Sequence, residues 1–343
     1  MEGRELPMRH TAFALVLGSL VAGSLAAADP QLMNMIMPEA KVVAGINVIS
    51  ARNSPFGTFL LRQATGNSGE MQKFIAATGF NPQTDLDEIL VATAGTDQAA
   101  KTDATPGMIE GTTAGMKGLV LARGTFNIEK ISTLAKTDGK QKIEKYQDAV
   151  LILDPKSKSA SAMAFVGTTM VVAGDLASVR AALDRRTTAS SIDPQLTSKV
   201  NSLSNSQDAW AVSILPFSSF NAGPAADPTI AGALNGDIFK KITSTSGGIK
   251  FGPQVLLSTE MVAADEKNAN ALGDVVRFLA GMASMNAGGS GKGAPAGVVA
   301  LLQGLTVKSE GNVVNLTITI PEEQLEGLIS SMPSGMKPAG TKI

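Results

Sequence analysis

The sequence contains no cysteine and only one histidine, His10, and these two shortages exclude several classes of site. Without cysteine there can be no disulfide, thiolate nucleophile or zinc–thiolate centre. His10 lies in a segment that we expect to be removed, so histidine bases and histidine metal ligands are also excluded from the mature chain. Carboxylates, hydroxyls, lysines and thioethers remain as possible chemical groups.

The chain also lacks an excess of charge of either sign. Lys and Arg together number 29 and Asp and Glu together 30, so the formal net charge is −1. Binding to nucleic acid depends on basic residues that neutralise phosphates, and nucleic acid is therefore not expected as a partner. Aromatic residues make up only 4% of the 343 positions. That length is enough for one or two domains with a substantial core.

The N-terminal region has the pattern of a secretory signal peptide. An uncharged apolar run at 11–27 follows Arg9, and Ala26 and Ala28 are the small residues that signal peptidase needs. Residues 1–28 are therefore predicted to be a cleaved signal peptide, and the mature chain to be exported to the periplasm or the extracellular space. An uncleaved N-terminal anchor is the minor alternative, because the run is short for a span of about 20 residues. No other segment predicts a membrane span.

Short segments rich in β-branched residues and bounded by turn residues predict the strands of the mature chain. The predicted strands are 41–49, 88–95, 118–123, 148–153, 163–166, 169–173, 209–215, 243–251, 255–263, 305–309 and 313–320. Helices are predicted at 127–136, 175–186 and from Asp265 to about Met285, where apolar residues recur every three or four positions. The predicted fold class is α+β, with mostly antiparallel sheet packed with helices.

The order of these elements repeats along the chain. The hairpin at 164–173 and the helix from Asp175 correspond to the hairpin at 305–320 and the helix from Pro321. We predict two similar α+β halves after the signal peptide, with boundaries at 29–187 (first half), 188–207 (linker), 208–331 (second half) and 332–343 (flexible tail). Segments rich in Gly, Ala, Thr or Pro predict loops at 96–117, 221–236 and 286–297.

Met33, Met35 and Met37 form the one unusual cluster of possible metal ligands. Thioethers prefer Cu(I), and an extended segment would place all three sulfurs on one face. A helix would instead separate them by about 100° per residue, and Pro30 and Pro38 favour a short helical turn here. Packing in the core is the preferred interpretation. No catalytic, cofactor-binding or metal-binding residue is therefore assigned, and no cofactor is expected.

Acidic clusters occur at 85–88, 265–266 and 322–323. A glycosidase needs two carboxylates that face each other across a cleft, and neighbours in sequence do not establish such a pair. The clusters also coincide with helix starts and turns, where acidic side chains are favoured for structural reasons. Structural roles are the preferred interpretation.

Several segments carry a resemblance to a known group of proteins. PQLMNMIMPEAKVVAGINV, GFNPQTDLDEILVA, LARGTFNIEKI and LTVKSEGNVVNLTITIP resemble exported bacterial proteins of unknown function of the DUF3352-like type. The resemblance implies a secreted α+β protein and assigns no catalytic role to any position.

These observations favour an exported, non-catalytic protein that binds an unknown protein or a ligand in the periplasm or at the cell surface. Two alternatives stay open. A carrier of an apolar ligand or lipid is suggested by the abundance of Met, Ala and Leu, and it would need a large apolar pocket. A carboxylate-based hydrolase would need acidic side chains that converge in a cleft.

The first prediction concerns processing. Because Ala26 and Ala28 fit the peptidase and Asp29-Pro30 ends the apolar segment, the mature protein should begin at or next to Asp29. N-terminal sequencing of exported protein tests this, and recovery of the intact apolar run would support the anchor instead.

Overall fold

The computed structural model describes residues 27–65, 69–95, 118–139, 141–154, 161–217, 237–285 and 304–331. Most of the predicted signal peptide, the predicted loops at 96–117, 221–236 and 286–297, and the predicted tail lie outside the described residues. No helix within these ranges has both the length and the hydropathy of a bilayer span.

Within the described residues, twelve strands form one antiparallel sheet. In chain order they are β1 (Val42–Asn47), β2 (Leu86–Thr93), β3 (Gly118–Gly124), β4 (Lys142–Tyr146), β5 (Ala149–Leu153), β6 (Ser161–Val166), β7 (Met170–Asp175), β8 (Ala209–Ser213), β9 (Ile242–Lys250), β10 (Gln254–Ala263), β11 (Leu305–Glu310) and β12 (Val313–Pro321). Their order across the sheet is β11-β12-β10-β9-β8-β1-β2-β3-β7-β6-β5-β4.

Helices connect and cover these strands. They are α1 (Pro30–Met35), α2 (Val48–Arg52), α3 (Pro55–Thr65), α4 (Gly69–Thr78), α5 (Pro82–Asp85), α6 (Ile128–Asp138), α7 (Leu176–Arg185), α8 (Pro194–Ser206), α9 (Glu266–Met285) and α10 (Glu322–Ser331), with a short 3-10 helix at Phe239–Lys241. The predicted α+β fold class is confirmed. The sequence predicted no bounds for the strand β4 or for the helices α2, α3, α4, α5 and α8. The predicted strand 41–49 is too long at its end, because Val48 and Ile49 begin α2.

The sheet consists of two similar halves that meet at the β1–β8 pair. Outward from this pair, the first half runs β1-β2-β3-β7-β6 and the second half runs β8-β9-β10-β12-β11. Each of these strands therefore has a counterpart in the other half, and the β4–β5 hairpin is an addition at the edge of the first half. The predicted correspondence of the two hairpins is confirmed, because β6–β7 and β11–β12 occupy equivalent places.

The two halves also share a helix start. Residues 188–207, predicted as a linker, contain α8, which precedes β8 as α1 precedes β1. Asp29–Leu32 and Asp193–Leu196 have the same sequence, DPQL. In both copies the aspartate caps the helix by accepting a hydrogen bond from the amide of Gln31 or Gln195, at 2.7 and 2.8 Å. The second copy of the fold therefore begins at the cap of α8.

Alternate residues of each strand point to opposite faces of the sheet. We call the front face the one that carries Leu90, Leu121, Val172 and Trp210. These residues form a single core with side chains of α1, α7 and α8. Most of the front face of the first half is thus built into the hydrophobic core.

The back face carries three smaller cores. Helix α6 covers Ile152 and Phe165, and α9 covers Met261 and Val314. The third core contains α10 and also Phe56 of α3, a helix of the first half that packs on the second. The two halves are therefore joined by side-chain packing as well as by the β1–β8 hydrogen bonds.

A close approach of backbone to an indole ring lies at this junction. Gly45 of β1 is directly opposite Trp210 of β8. A Cβ atom at Gly45 would lie 2.5 Å from Cζ2 of Trp210 and 2.8 Å from Cδ2 of Leu90. Only glycine leaves room for the ring here.

The second prediction tests this junction. Gly45→Ala should destabilise the protein by about 1–3 kcal/mol through overpacking and shift the fluorescence of Trp210, the only tryptophan. The matched control is Gly281→Ala in α9, where a Cβ meets nothing within 4 Å. That change should stabilise the helix by about 0.5–1 kcal/mol. Chemical denaturation followed by fluorescence measures both, and an unchanged midpoint for Gly45→Ala would contradict the packing described.

Candidate functional site

The front face of the second half carries many polar side chains, with the apolar Leu256, Val262 and Val313 among them. Directly opposed residues share a face, so the strand register defines rows of side chains across β9, β10, β12 and β11. We call the polar face the set Ser258, Glu260, Thr306, Lys308, Asn315, Thr317 and Thr319. Short hydroxyl and amide side chains dominate it, and its charged members include one acid and one base.

Few described elements cover this polar face. The helices α9, α10 and α3 that pack on the second half all lie on its back face. Helix α8 is on the front, but most of its contacts with the sheet are with the inner strands β8, β1 and β9. In the first half, by contrast, α1 and α7 lie over the front face and bury apolar side chains there.

The difference between the two front faces follows from strand length. Strands β7 and β12 are equivalent, and their first residues, Met170 and Val313, both point to the front. Strand β7 has 6 residues and β12 has 9. Because side chains alternate from face to face, an odd number of extra residues reverses the side from which the chain leaves the strand. Helix α7 accordingly packs on the front and α10 on the back.

An ion pair marks the boundary of the polar face. Nζ of Lys199, on α8, donates to both carboxylate oxygens of Glu260 at 2.6 and 2.8 Å. A second ion pair joins Lys250, at the end of β9, to Asp208, which precedes β8. Nζ of Lys250 donates to Oδ1 of the almost fully buried Asp208 at 2.8 Å. These contacts hold α8 at the inner edge and leave the outer strands β12 and β11 to present their hydroxyl groups.

A cluster of charged side chains lies on the front of the first half, where the start of α1 meets β2 and β3. Glu88 and Arg123 are directly opposed on β2 and β3, and Asp29 lies over them. Nε of Arg123 donates to Oδ2 of Asp29 at 2.8 Å, and the backbone N–H of Asp29 donates to Oε2 of Glu88 at 3.0 Å. Arg123 also donates to Oε1 of Gln31 at 2.7 Å. We call Asp29, Gln31, Glu88 and Arg123 the N-terminal cluster.

The electrostatics of this cluster single out Glu88. Burial raises its pKa from 4.5 to about 7, and the negative charge of Asp29 adds to the increase. The hydrogen bond from the Asp29 amide and the charge of Arg123 act in the opposite direction. One arginine thus faces two carboxylates, and the pKa of Glu88 is raised into the neutral range.

The acidic residues noted in the sequence do not converge on one cleft. Asp85 accepts from the amide of Asn81 at 2.8 Å, and Asp87 pairs with Arg52. Asp265 caps α9 by accepting from the amide of Asn268 at 2.8 Å. Glu322 and Glu323 lie in the first turn of α10, where the helix dipole favours negative charge. In the described part of the chain, no group of three or more acidic or histidine side chains is placed to hold a metal ion.

The three methionines lie at the start of the fold. Met33 and Met35 belong to α1, Met37 follows its C-terminal end, and all three side chains are buried in the front core. They occupy the space between the helix and the sheet, together with Leu32 and Ile36. Burial of this kind contributes about 1.5–3 kcal/mol for each side chain, which would be lost if the thioethers turned outward as ligands.

One shallow cleft lies between α4 and α6 on the back of the first half. Its volume is about 440 Å³, and it is lined by Ala77, Asn127, Glu129, Lys130, Thr133, Leu134 and Thr137. The cleft is open to solvent, and five of its seven lining residues have polar side chains. It therefore differs from the enclosed apolar cavity that a lipid carrier needs.

Sequence reasoning did not identify the polar face or the N-terminal cluster, although a signal for the first was present. The strand segment NLTIT alternates polar and apolar residues, which is typical of a strand with one solvated face. First-half segments such as ILVA and GLVLA are continuously apolar, as in strands covered on both faces. The N-terminal cluster joins residues 59 and 94 positions apart, and no local pattern indicates it.

No family model matches the sequence, and no curated protein matches it. The fold is similar to solved structures of TP0453. Crystal form IV has 10% sequence identity and a TM-score of 0.48, with 90% of this chain and 99% of TP0453 covered. Crystal form III has 10% identity and a TM-score of 0.47, covering 89% and 99% of the two chains. A likeness of this degree carries no functional information.

The third prediction follows from the pKa of Glu88. When Asp29 is joined to a preceding residue, the folded chain holds the Glu88 proton up to about pH 7, whereas the unfolded chain releases it near pH 4.5. The folded state binds more protons within this window, so stability should fall as pH rises through it, by about 1–3 kcal/mol. Glu88→Gln should remove this dependence, because the amide is neutral throughout.

Denaturation midpoints between pH 4 and 8, measured on protein that retains residues before Asp29, test this prediction. The control is Asp87→Asn, which changes the neighbouring carboxylate that pairs with Arg52 instead. An equal pH dependence in wild type and Glu88→Gln would show that Glu88 ionises normally.

Proposed function

We propose that this chain is an exported, non-catalytic protein of the DUF3352-like type, which binds a protein partner through the polar face in the periplasm or at the cell surface. The observation that carries the proposal is the difference between the two front faces. The fold covers the first with α1 and α7 and moves the equivalent helix of the second half, α10, to the back. The signal-peptide pattern before Asp29 supports export. The lack of cysteine and of histidine in the mature chain supports a non-catalytic role.

The shape and chemistry of the polar face favour a protein over an apolar ligand. Small molecules and lipids are held in concave, mostly apolar pockets. The polar face is a sheet surface of hydroxyl and amide groups, and interfaces between separately folded proteins are about as polar as the rest of the protein surface. Thr306, Thr317 and Thr319 are β-branched and stiff at χ1, so their ordering on binding costs little entropy.

The size of the polar face indicates a transient complex. Strands β10 and β12 have 10 and 9 residues, and four neighbouring strands span a surface of roughly 500 Å². Stable interfaces bury about 800 Å² on each partner, and smaller ones belong to transient encounters. The partner should therefore be found by covalent trapping more readily than by co-purification.

The fourth prediction tests the polar face by site-specific photo-crosslinking in the exporting cell. A photoreactive residue at Thr306, exposed on the front, should give one protein adduct that mass spectrometry identifies. The same residue at Thr259, exposed on the back of β10, should not give this adduct. Thr317→Glu, introduced next to the probe in the opposed strand, should reduce the yield at least severalfold.

Two controls make the result specific. Unlabelled purified protein should compete for the adduct, and Thr259→Glu should leave the Thr306 adduct unchanged. Equal protein adducts from both faces would contradict the proposal, and adducts of lipid at Thr306 would support the apolar carrier in its place.

A further inference from the structure

The position of the Asp29 backbone nitrogen has a chemical consequence. This nitrogen lies 3.0 Å from Oε2 of Glu88, and Asp29 is the residue that follows the predicted cleavage site. In the uncleaved chain the nitrogen is a neutral amide. After cleavage the same atom becomes a primary α-amine, which is protonated and positively charged at neutral pH.

The Asp29 nitrogen is held in place by contacts that do not involve the preceding residues. Oδ1 of Asp29 caps α1 by accepting from the amide of Gln31 at 2.7 Å, and Oδ2 accepts from Nε of Arg123 at 2.8 Å. Pro30 fixes the backbone at the first position of the helix. These contacts remain when the chain before Asp29 is removed, so the new amine stays beside Glu88.

The charge balance of the N-terminal cluster also favours a positive charge on the Asp29 nitrogen. With both acids ionised, Asp29 and Glu88 carry two negative charges against the single positive charge of Arg123. An ammonium group on Asp29 supplies the missing positive charge at an atom already within hydrogen-bonding distance of Glu88. Charge-assisted hydrogen bonds of this kind are roughly twice as strong as neutral ones.

We propose that Glu88 is the binding site for the α-ammonium group created on Asp29 by signal-peptide cleavage, so that processing completes the N-terminal cluster. This inference rests on the export proposed above. In the cleavage step, peptidase-catalysed hydrolysis breaks the Ala28–Asp29 peptide bond. Water gives its hydroxyl to the Ala28 carbonyl carbon and a proton to the Asp29 nitrogen. The resulting amine takes a second proton from solvent and pairs with the Glu88 carboxylate.

The test uses the chain that begins at Asp29, prepared with a free α-amine by removal of a cleavable leader. The rate at which an amine-selective reagent modifies this α-amine at pH 7 is measured by mass spectrometry. Pairing with Glu88 holds the amine protonated, so wild type should react about tenfold more slowly than Glu88→Gln, equivalent to a one-unit change in its pKa. Asp87→Asn, the adjacent carboxylate, should react at the wild-type rate.

A second measurement depends only on wild-type side chains. A chain that begins at Ala28 moves the amine one residue away from Glu88 and should react at the unhindered rate. Acetylation of the Asp29 amine restores an amide like that of the uncleaved chain. This modification should lower the denaturation midpoint in wild type and leave the midpoint of Glu88→Gln unchanged.

The outcomes separate this inference from the proposed export. Equal rates for wild type, Glu88→Gln and the Ala28 start would overturn the ammonium site. The mass of protein recovered from the exporting cell reports independently on processing. An N-terminus other than Asp29 there would contradict the predicted cleavage, while the rates on the prepared chain still decide whether Glu88 binds an ammonium group.

Discussion

The antiparallel pairing of β1 with β8 is the interaction on which the architecture depends. Each half alone would end in an unpaired strand with a row of unsatisfied N–H and C=O groups, which promotes edge-to-edge association. The pairing gives hydrogen-bond partners to the facing edges of β1 and β8. It also places Gly45 against Trp210, so the indole ring fills the front core without displacing the backbone. The crossing of α3 to the back of the second half adds apolar contact to the same junction.

One change in strand length separates the roles of the two halves. Apart from α2–α5 and the β4–β5 hairpin, which are additions in the first half, the halves share one order of elements. They also share the DPQL helix start. The 9 residues of β12 against the 6 of β7 place α10 on the back face. In the first half α1 packs against α7 on the front face. In the second half α10 is on the back, so α8, the equivalent of α1, lies over the inner strands instead. Among the described residues, the front of the first half is therefore covered by α1 and α7, and the outer front of the second half has no covering helix.

The strands could be predicted from the sequence because β-branched runs between turn residues are local signals. Strand β4 was missed because KIEKY alternates charges, as edge strands often do. Helix α8 was missed because its Ser, Thr and Asn residues are typical of loops. Its Leu196, Val200 and Leu203 nevertheless recur at helical spacing and form its buried side. The polar face could not be predicted in full, because its exposure depends on the side to which α10 packs.

The two DPQL segments show which part of the N-terminal cluster is needed for folding and which part is additional. Both aspartates cap a helix in the same way, and the residues before them, Ala28 and Ile192, are each 5% exposed. The cap therefore forms in the same way in both copies, with a residue preceding each aspartate. What distinguishes the first copy is the opposed pair Glu88 and Arg123 beneath Asp29. Strands β2 and β3 thus place an acid and a base beneath a helix start that is already capped, and neither is needed for the cap itself.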